Sequence, residues 1–153
     1  MSNPATALSD APAAPAIENT PGIGRRLAAL FYEALLLIGA LGVAFVLPHV
    51  VLGAGWKVEV PGALKWLHLF LVLLVYFVWF WRHSGQTLAM KTWKIKVVSA
   101  QNGEAVSLRQ AVLRYILAWP ALALGGVGFL WALVDHDRQF LHDRLAGTRL
   151  IRV

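Results

Sequence analysis

Two long apolar blocks separated by a short polar loop dominate the first half of the chain. Leu27 to Leu47 forms an apolar run of 21 residues broken by one charge, Glu33. At ~1.5 Å per residue, a helix of that length measures ~31 Å, which matches the hydrocarbon thickness of a bilayer. Arg25 and Arg26 stand at its start, and Pro48 with the Gly53–Gly55 region is expected to close it. The second block, Leu67 to Trp81, is 15 residues of almost continuous Leu, Val, Phe, Tyr and Trp. With Leu64 to Trp66 added, it reaches the minimum length of a span. Trp66 lies at one end and Trp79 and Trp81 at the other, which sets aromatic rings at both headgroup levels.

The pattern changes between Arg82 and Arg109, where polar and basic residues prevail. Trp93-Lys94-Ile95-Lys96-Val97-Val98 alternates with period two, the mark of a half-buried strand. Asn102-Gly103 follows as a turn signal, so a short hairpin is predicted. A third apolar run, Tyr115 to Val134, is 20 residues long and contains Pro120 and Gly125-Gly126-Val127-Gly128. Proline removes a backbone donor and clustered glycines permit sharp turns, so the run fits either one kinked span or a re-entrant hairpin. Thr148 to Val153 alternates again. A lone strand pair is barely stable, so this stretch and Lys94–Val98 gain by sharing a sheet, which requires both on one side of a membrane. The expectation is a cytoplasmic carboxyl terminus and a third run that turns back at Gly125–Gly128.

The predicted fold class is an all-α membrane protein. It has two clear transmembrane helices, a third Pro/Gly-interrupted span or re-entrant hairpin, and a small cytoplasmic β element. Residues 22–153 carry this membrane domain, with apolar segments at 27–47, 64–81 and 115–134. Residues 1–21, rich in Ala and Pro, lack apolar periodicity and are expected to be a disordered tail. The tail does not read as a signal peptide, because its charges come late and the long apolar run follows them.

Composition supports the lipid reading. Hydrophobic residues are 58% of the 153 and charged residues 14%, against about 25% charged in soluble domains. A small domain has too little interior to hide that much apolar surface. The net charge of +6 is unevenly placed. Arg25 and Arg26 precede the first helix; Arg82, Lys91, Lys94 and Lys96 follow the second, while the loop between carries Lys57 and Lys65. The positive-inside rule then sets the amino terminus and the basic central loop in the cytoplasm. No basic, aromatic-interleaved module points to nucleic acid. The absence of cysteine excludes disulfides, thiolate metal sites and cysteine nucleophiles.

Glu33 is the leading candidate for function. It lies six residues past Leu27, roughly 9 Å into the apolar layer. A carboxyl at that depth costs several kcal/mol unless it faces protein, water or a partner charge. Arg26 stands two helical turns earlier, and Arg25, Arg82, His83 and Arg114 are further charges within reach of that level. One reading is a proton- or cation-binding carboxyl; the other is a structural Glu–Arg clasp between helices. The segment Asp135-His136-Asp137-Arg138-Gln139-Phe140-Leu141-His142-Asp143-Arg144 offers imidazole and carboxylate groups suited to metals. Its spacing fits no metal motif and its arginines repel cations, so a salt-bridged interfacial segment is expected. His49 and His68 sit near helix ends on the presumed outer side, and nothing in the pattern turns them towards each other. No nucleophilic triad, phosphate-binding loop or cofactor motif stands out, so neither an enzyme, a metal nor a cofactor is expected.

Three stretches together resemble the RDD family of bacterial membrane proteins. They are Arg25-Arg26-Leu27-Ala28-Ala29-Leu30-Phe31-Tyr32-Glu33, then Gly85-Gln86-Thr87-Leu88-Ala89-Met90-Lys91, then Leu141-His142-Asp143-Arg144-Leu145-Ala146-Gly147-Thr148. The resemblance covers roughly residues 22–153. It implies that Arg26 or Arg25 matches the family's arginine, that Glu33 stands in place of its intramembrane aspartate, and that Asp143 matches its second aspartate. It also implies a multi-pass protein of the bacterial cytoplasmic membrane. The family has no settled molecular function, and transport or ion exchange has been suggested for it. Three hypotheses follow. One is a transporter or ion-exchange subunit using Arg26, Glu33 and Asp143, which at this size requires a homo-oligomer to enclose a pathway for a small ion or ligand. The second is a non-catalytic accessory or scaffold protein that binds another membrane protein within the lipid. The third, ranked last, is a lipid-modifying enzyme using the His/Asp segment.

Overall fold

The computed structural model describes residues 20–124, 126, 131 and 139–153. Helix α1 runs over Ile23–Leu41, a wider π turn follows over Gly42–Val46, and α2 continues over Leu47–Trp56. Together they make one apolar helix of 34 residues, and a second, α3, spans the 22 residues Gly62–His83. Both are long and apolar enough to cross a membrane. Their outward side chains are those of a lipid-facing surface: Phe31 is 69% exposed, Ile38 70% and Val75 65%.

Pro48 does not close the first helix, contrary to the reading from sequence. Proline clashes with the carbonyl four residues earlier in a regular α-helix. Here the chain widens into the π turn immediately before it, and Pro48 falls in the opening turn of α2. The helix instead ends at Lys57, whose left-handed backbone (φ 54°) lets its amide bond Leu52 O.

After α3 the chain forms a small polar-faced unit. Helix α4 covers Leu88–Thr92, capped by Thr87, whose hydroxyl accepts the Met90 amide. Strand β1 covers Ile95–Ser99. Helix α5 covers Leu108–Ala123, and its start is a full capping box between Ser107 and Gln110. Pro120 lies within it. A short helix α6, Leu141–Leu145, leads into strand β2, Thr148–Arg152.

β1 and β2 pair antiparallel, with Val97 opposite Leu150 and Ser99 opposite Thr148. The sharing of a sheet by the two alternating stretches is therefore observed. The local hairpin expected at Asn102-Gly103 is not: the chain turns there, with Gly103 at φ +72°, but β1 takes its partner from the carboxyl-terminal end. The long-range pairing buries Ile95, Val97 and Leu150 against Trp81, Phe140 and Tyr115, contacts that a polar Gln101–Glu104 return strand cannot supply. The turning back expected at Gly125–Gly128 lies largely outside the described residues, as do Asp135, His136, Asp137 and Arg138.

Two tight fits hold this unit in place. Gly85 has φ +71°, and a Cβ there would come within 2.8 Å of Val97 O, which passes directly beside it. The Val97 amide bonds Gly85 O at 2.8 Å. Gln110 of α5 donates to Gly147 O at 3.0 Å and to Ser99 Oγ at 3.3 Å, tying the helix start to both strands. α5 also packs on α3 through rings: Phe70 and Tyr115 meet edge-on at 5.1 Å, and the Tyr115 hydroxyl donates to Phe70 O at 2.8 Å.

Candidate functional site

Glu33 points inward from α1 and is 6% exposed. Arg26, Ala29 and Glu33 form the buried stripe of that helix, spaced three and four residues apart as one helical face requires. The Tyr76 hydroxyl of α3 donates to Glu33 Oε1 at 2.6 Å, and the Thr87 hydroxyl donates to Glu33 Oε2. Each carboxyl oxygen is thus held by a hydroxyl. Thr87 is also the cap of α4, so a single oxygen joins the buried acid to the first turn of a surface helix.

Arg26 is 1% exposed. Its Nε donates to Pro21 O at 2.9 Å, and its guanidinium lies 5.3 Å from the centre of the Phe140 ring. Among the described residues, no ion pair joins it to Glu33. Arg114 of α5 pairs instead with Asp143 of α6, donates from Nη1 to Thr148 Oγ1 at 3.2 Å, and stacks 4.8 Å above the Trp81 ring. Thr148 passes its own hydroxyl to Asp143 O at 3.3 Å. Both members of the Arg114–Asp143 pair are almost wholly enclosed. Removing either charge would strand the other, at a cost of about 3–5 kcal/mol.

Arg26, Glu33, Thr87, Trp81, Arg114 and His142 all line one cavity of about 190 Å³, with Phe77, Met90 and Leu150 among its apolar walls. The structure thus brings Arg26, Glu33 and Arg114 to one space, with Asp143 just behind it on Arg114. Arg25 and Arg82 are not part of it. Arg25 reaches sideways to Trp93 O at 3.3 Å, and Arg82 is exposed at the end of α3.

His142 stands beside this cavity, with Nε2 3.6 Å from Asp143 Oδ1. Burial, and after it the Arg114 cation, push the imidazole down to about 3, outweighing the nearby carboxylate. The ring is therefore neutral at physiological pH.

Sequence reasoning missed Tyr76 and Thr87. A lone hydroxyl within the second apolar block and a threonine three residues before the Met90 amide were the signals available. It also missed the meeting of His49 and His68. Their ring centres are 5.1 Å apart, with Phe45 packed against both, and His49 Nδ1 lies 2.7 Å from Phe45 O. The antiparallel packing of the first helix on α3 brings them together, which residue spacing along one chain does not disclose.

Comparison with known proteins gives a family and little chemistry. Residues 20–147 match the model of the RDD family. An uncharacterised protein of Rickettsia prowazekii (strain Madrid E) is 33% identical over 82 residues, 54% of this chain and 45% of that protein. The chain thus spans about half the length of that curated relative. No solved structure matches.

Proposed function

From the premise that this chain belongs to the RDD family, we propose that it is a small multi-pass membrane transporter that exchanges protons or small cations, with Glu33 as its titrating group. The observation that carries this reading is the setting of Glu33: a buried carboxyl on an apolar helix, lining a cavity, with a hydroxyl on each oxygen. Hydroxyls both donate and accept. Tyr76 and Thr87 therefore satisfy the ionised carboxylate, and either accepts from the protonated acid without a change of fold. A group stable in both states is what a carrier of protons needs. Once the acid has released its proton to water, a cation on the carboxylate finds the same hydroxyl oxygens as ligands, since hard cations prefer oxygen.

The remaining elements have consistent roles. Arg26 on the same cavity keeps positive potential near Glu33, and the Arg114–Asp143 pair fixes the wall behind it. The amino terminus and the basic segment after α3 face the cytoplasm of a bacterial cell, and the sheet of β1 and β2 lies on that side. A chain of this size encloses its pathway as a homo-oligomer.

The test is proton and sodium flux into liposomes holding purified protein, comparing wild type with Glu33→Gln. Flux in wild type that is lost in the variant, with both correctly inserted, supports exchange at Glu33. No flux in wild type overturns the reading and favours an accessory role in binding another membrane protein.

A further inference from the structure

The cavity around Trp81 continues into a second one of about 260 Å³, which shares Trp81, Arg114, His142, Phe77 and Leu37 with it and extends along Leu73, Ala118, Trp119 and Leu122. The two ends of this cleft differ in chemistry. At one end two buried donors, Trp81 Nε1 and Arg114 Nε, have no hydrogen-bond partner among the described residues, while Nη1 of the same guanidinium is held by Asp143 and Thr148. Trp81 is 6% exposed, and the Arg114 guanidinium lies 4.8 Å from its ring centre, so the two donors are neighbours. A buried donor left without an acceptor is costly, which marks this end as built for an oxygen-bearing group. The Arg26 guanidinium lines the same end. The other end is apolar and open to the side, where Leu122 is 62% exposed.

The placement along the helix fixes the occupant. Trp81 is two residues from the end of α3 at His83, at headgroup level. Leu73 lies eight residues deeper, ~12 Å towards the bilayer centre. A molecule that fills the cleft has its acceptor oxygens at the surface and its hydrocarbon inside.

We propose that this cleft is a binding site for one phospholipid of the adjoining leaflet, its phosphodiester oxygens on Trp81 Nε1–H and Arg114 Nε–H and an acyl chain along Phe77, Leu73 and Ala118. A phosphodiester offers several acceptor oxygens to donors on different walls, and the bilayer supplies it at high local concentration. Basic pockets between helices at the membrane surface hold lipid headgroups in this way. Glu33 lines the first cavity as well, but the proposal requires only the donors and the groove and does not rest on ion exchange there.

The experiment is native mass spectrometry of the delipidated full chain in detergent, titrated with dioleoyl phosphatidylglycerol and, separately, with oleate. The expected result is one saturable phospholipid per chain. Trp81→Phe keeps an aromatic ring but removes the donor, and weakens binding about two- to tenfold, as the loss of one hydrogen bond requires. Ala118→Phe fills the groove and abolishes the adduct. Trp66→Phe, an exposed indole at the far end of α3, leaves it unchanged. Non-saturating adducts, equal binding by Trp81→Phe and wild type, an adduct retained by Ala118→Phe, or saturation by oleate alone would each overturn the proposal. Circular dichroism of the conservative Trp81→Phe variant confirms that a loss reflects the site and not the fold.

Discussion

The Thr87 hydroxyl donates to Glu33 and accepts from the Met90 amide, so it has both a local and a long-range duty. Thr87→Val removes both. It is expected to cost about 1–3 kcal/mol, the sum of a lost cap and a carboxyl oxygen left short of a donor, read as a lowered unfolding temperature. Thr87→Ser should restore most of it. His142 gives a separate prediction. Its imidazole is held neutral down to about 3 in the folded chain, whereas the unfolded chain protonates near the ordinary 6.5. The unfolded state therefore binds the extra proton first, so its contribution to stability is present above 6.5 and is lost as pH falls towards 3. Carboxylates titrate mainly below ~5, so the window from 6.5 to 5 reports histidines, and the comparison with a His142 variant singles out this one among the five. Melting temperature should decline there in wild type and decline less in His142→Asn. At this scale the sequence exposed Glu33, because a charge in an apolar run has no other company. Its partners were hidden because Tyr76 and Thr87 are 43 and 54 residues away.

Elements were legible wherever periodicity was strong. The two apolar blocks became long helices, and both alternating stretches became strands. What periodicity could not convey was pairing and termination. The turn at Asn102-Gly103 is real, yet β1 pairs with β2, because the apolar face of β2 brings Leu150 to the core. Pro48 read as a stop, yet the chain passes it by widening its pitch. Gly85 shows what the sequence does carry once the fold is known. Its positive φ and the approach of Val97 O within 2.8 Å of a would-be Cβ leave no room for a side chain. Gly85→Ala should therefore detach β1 from the end of α3, with loss of hydrogen-exchange protection at the Val97 amide, whereas Gly55→Ala, in open space, should not.

For the whole molecule, the pairing of β1 with β2 has a strong consequence. Residues 95–99 and 148–152 occupy one sheet, so they lie on one side of any membrane the long helices cross. The sequence contains no cysteine, so single cysteines introduced at Gln101, Arg152 and Lys57 report without background. Gln101→Cys and Arg152→Cys should label from the same side, and Lys57→Cys, at the far end of the first helix, from the other. Opposite labelling of Gln101→Cys and Arg152→Cys would contradict the sheet. The shared sheet followed from one physical argument, that isolated strands do not persist, while the expected turning back at Gly125–Gly128 lies largely outside the described residues.

The π turn at Gly42–Val46 acts as a phase shifter. Bonding five residues apart instead of four inserts one residue beyond the normal pitch, and one residue of an α-helix corresponds to about 100° of rotation. Everything beyond Val46 is thus turned relative to the stripe that carries Arg26, Ala29 and Glu33. That rotation turns His49 towards His68, with Phe45 of the π turn itself packed on both rings. Deleting Val43 should return the helix to regular pitch and swing His49 out of register while the Glu33 end stays as it is. The two halves of this one rod can therefore be indexed separately, like dials on a common shaft.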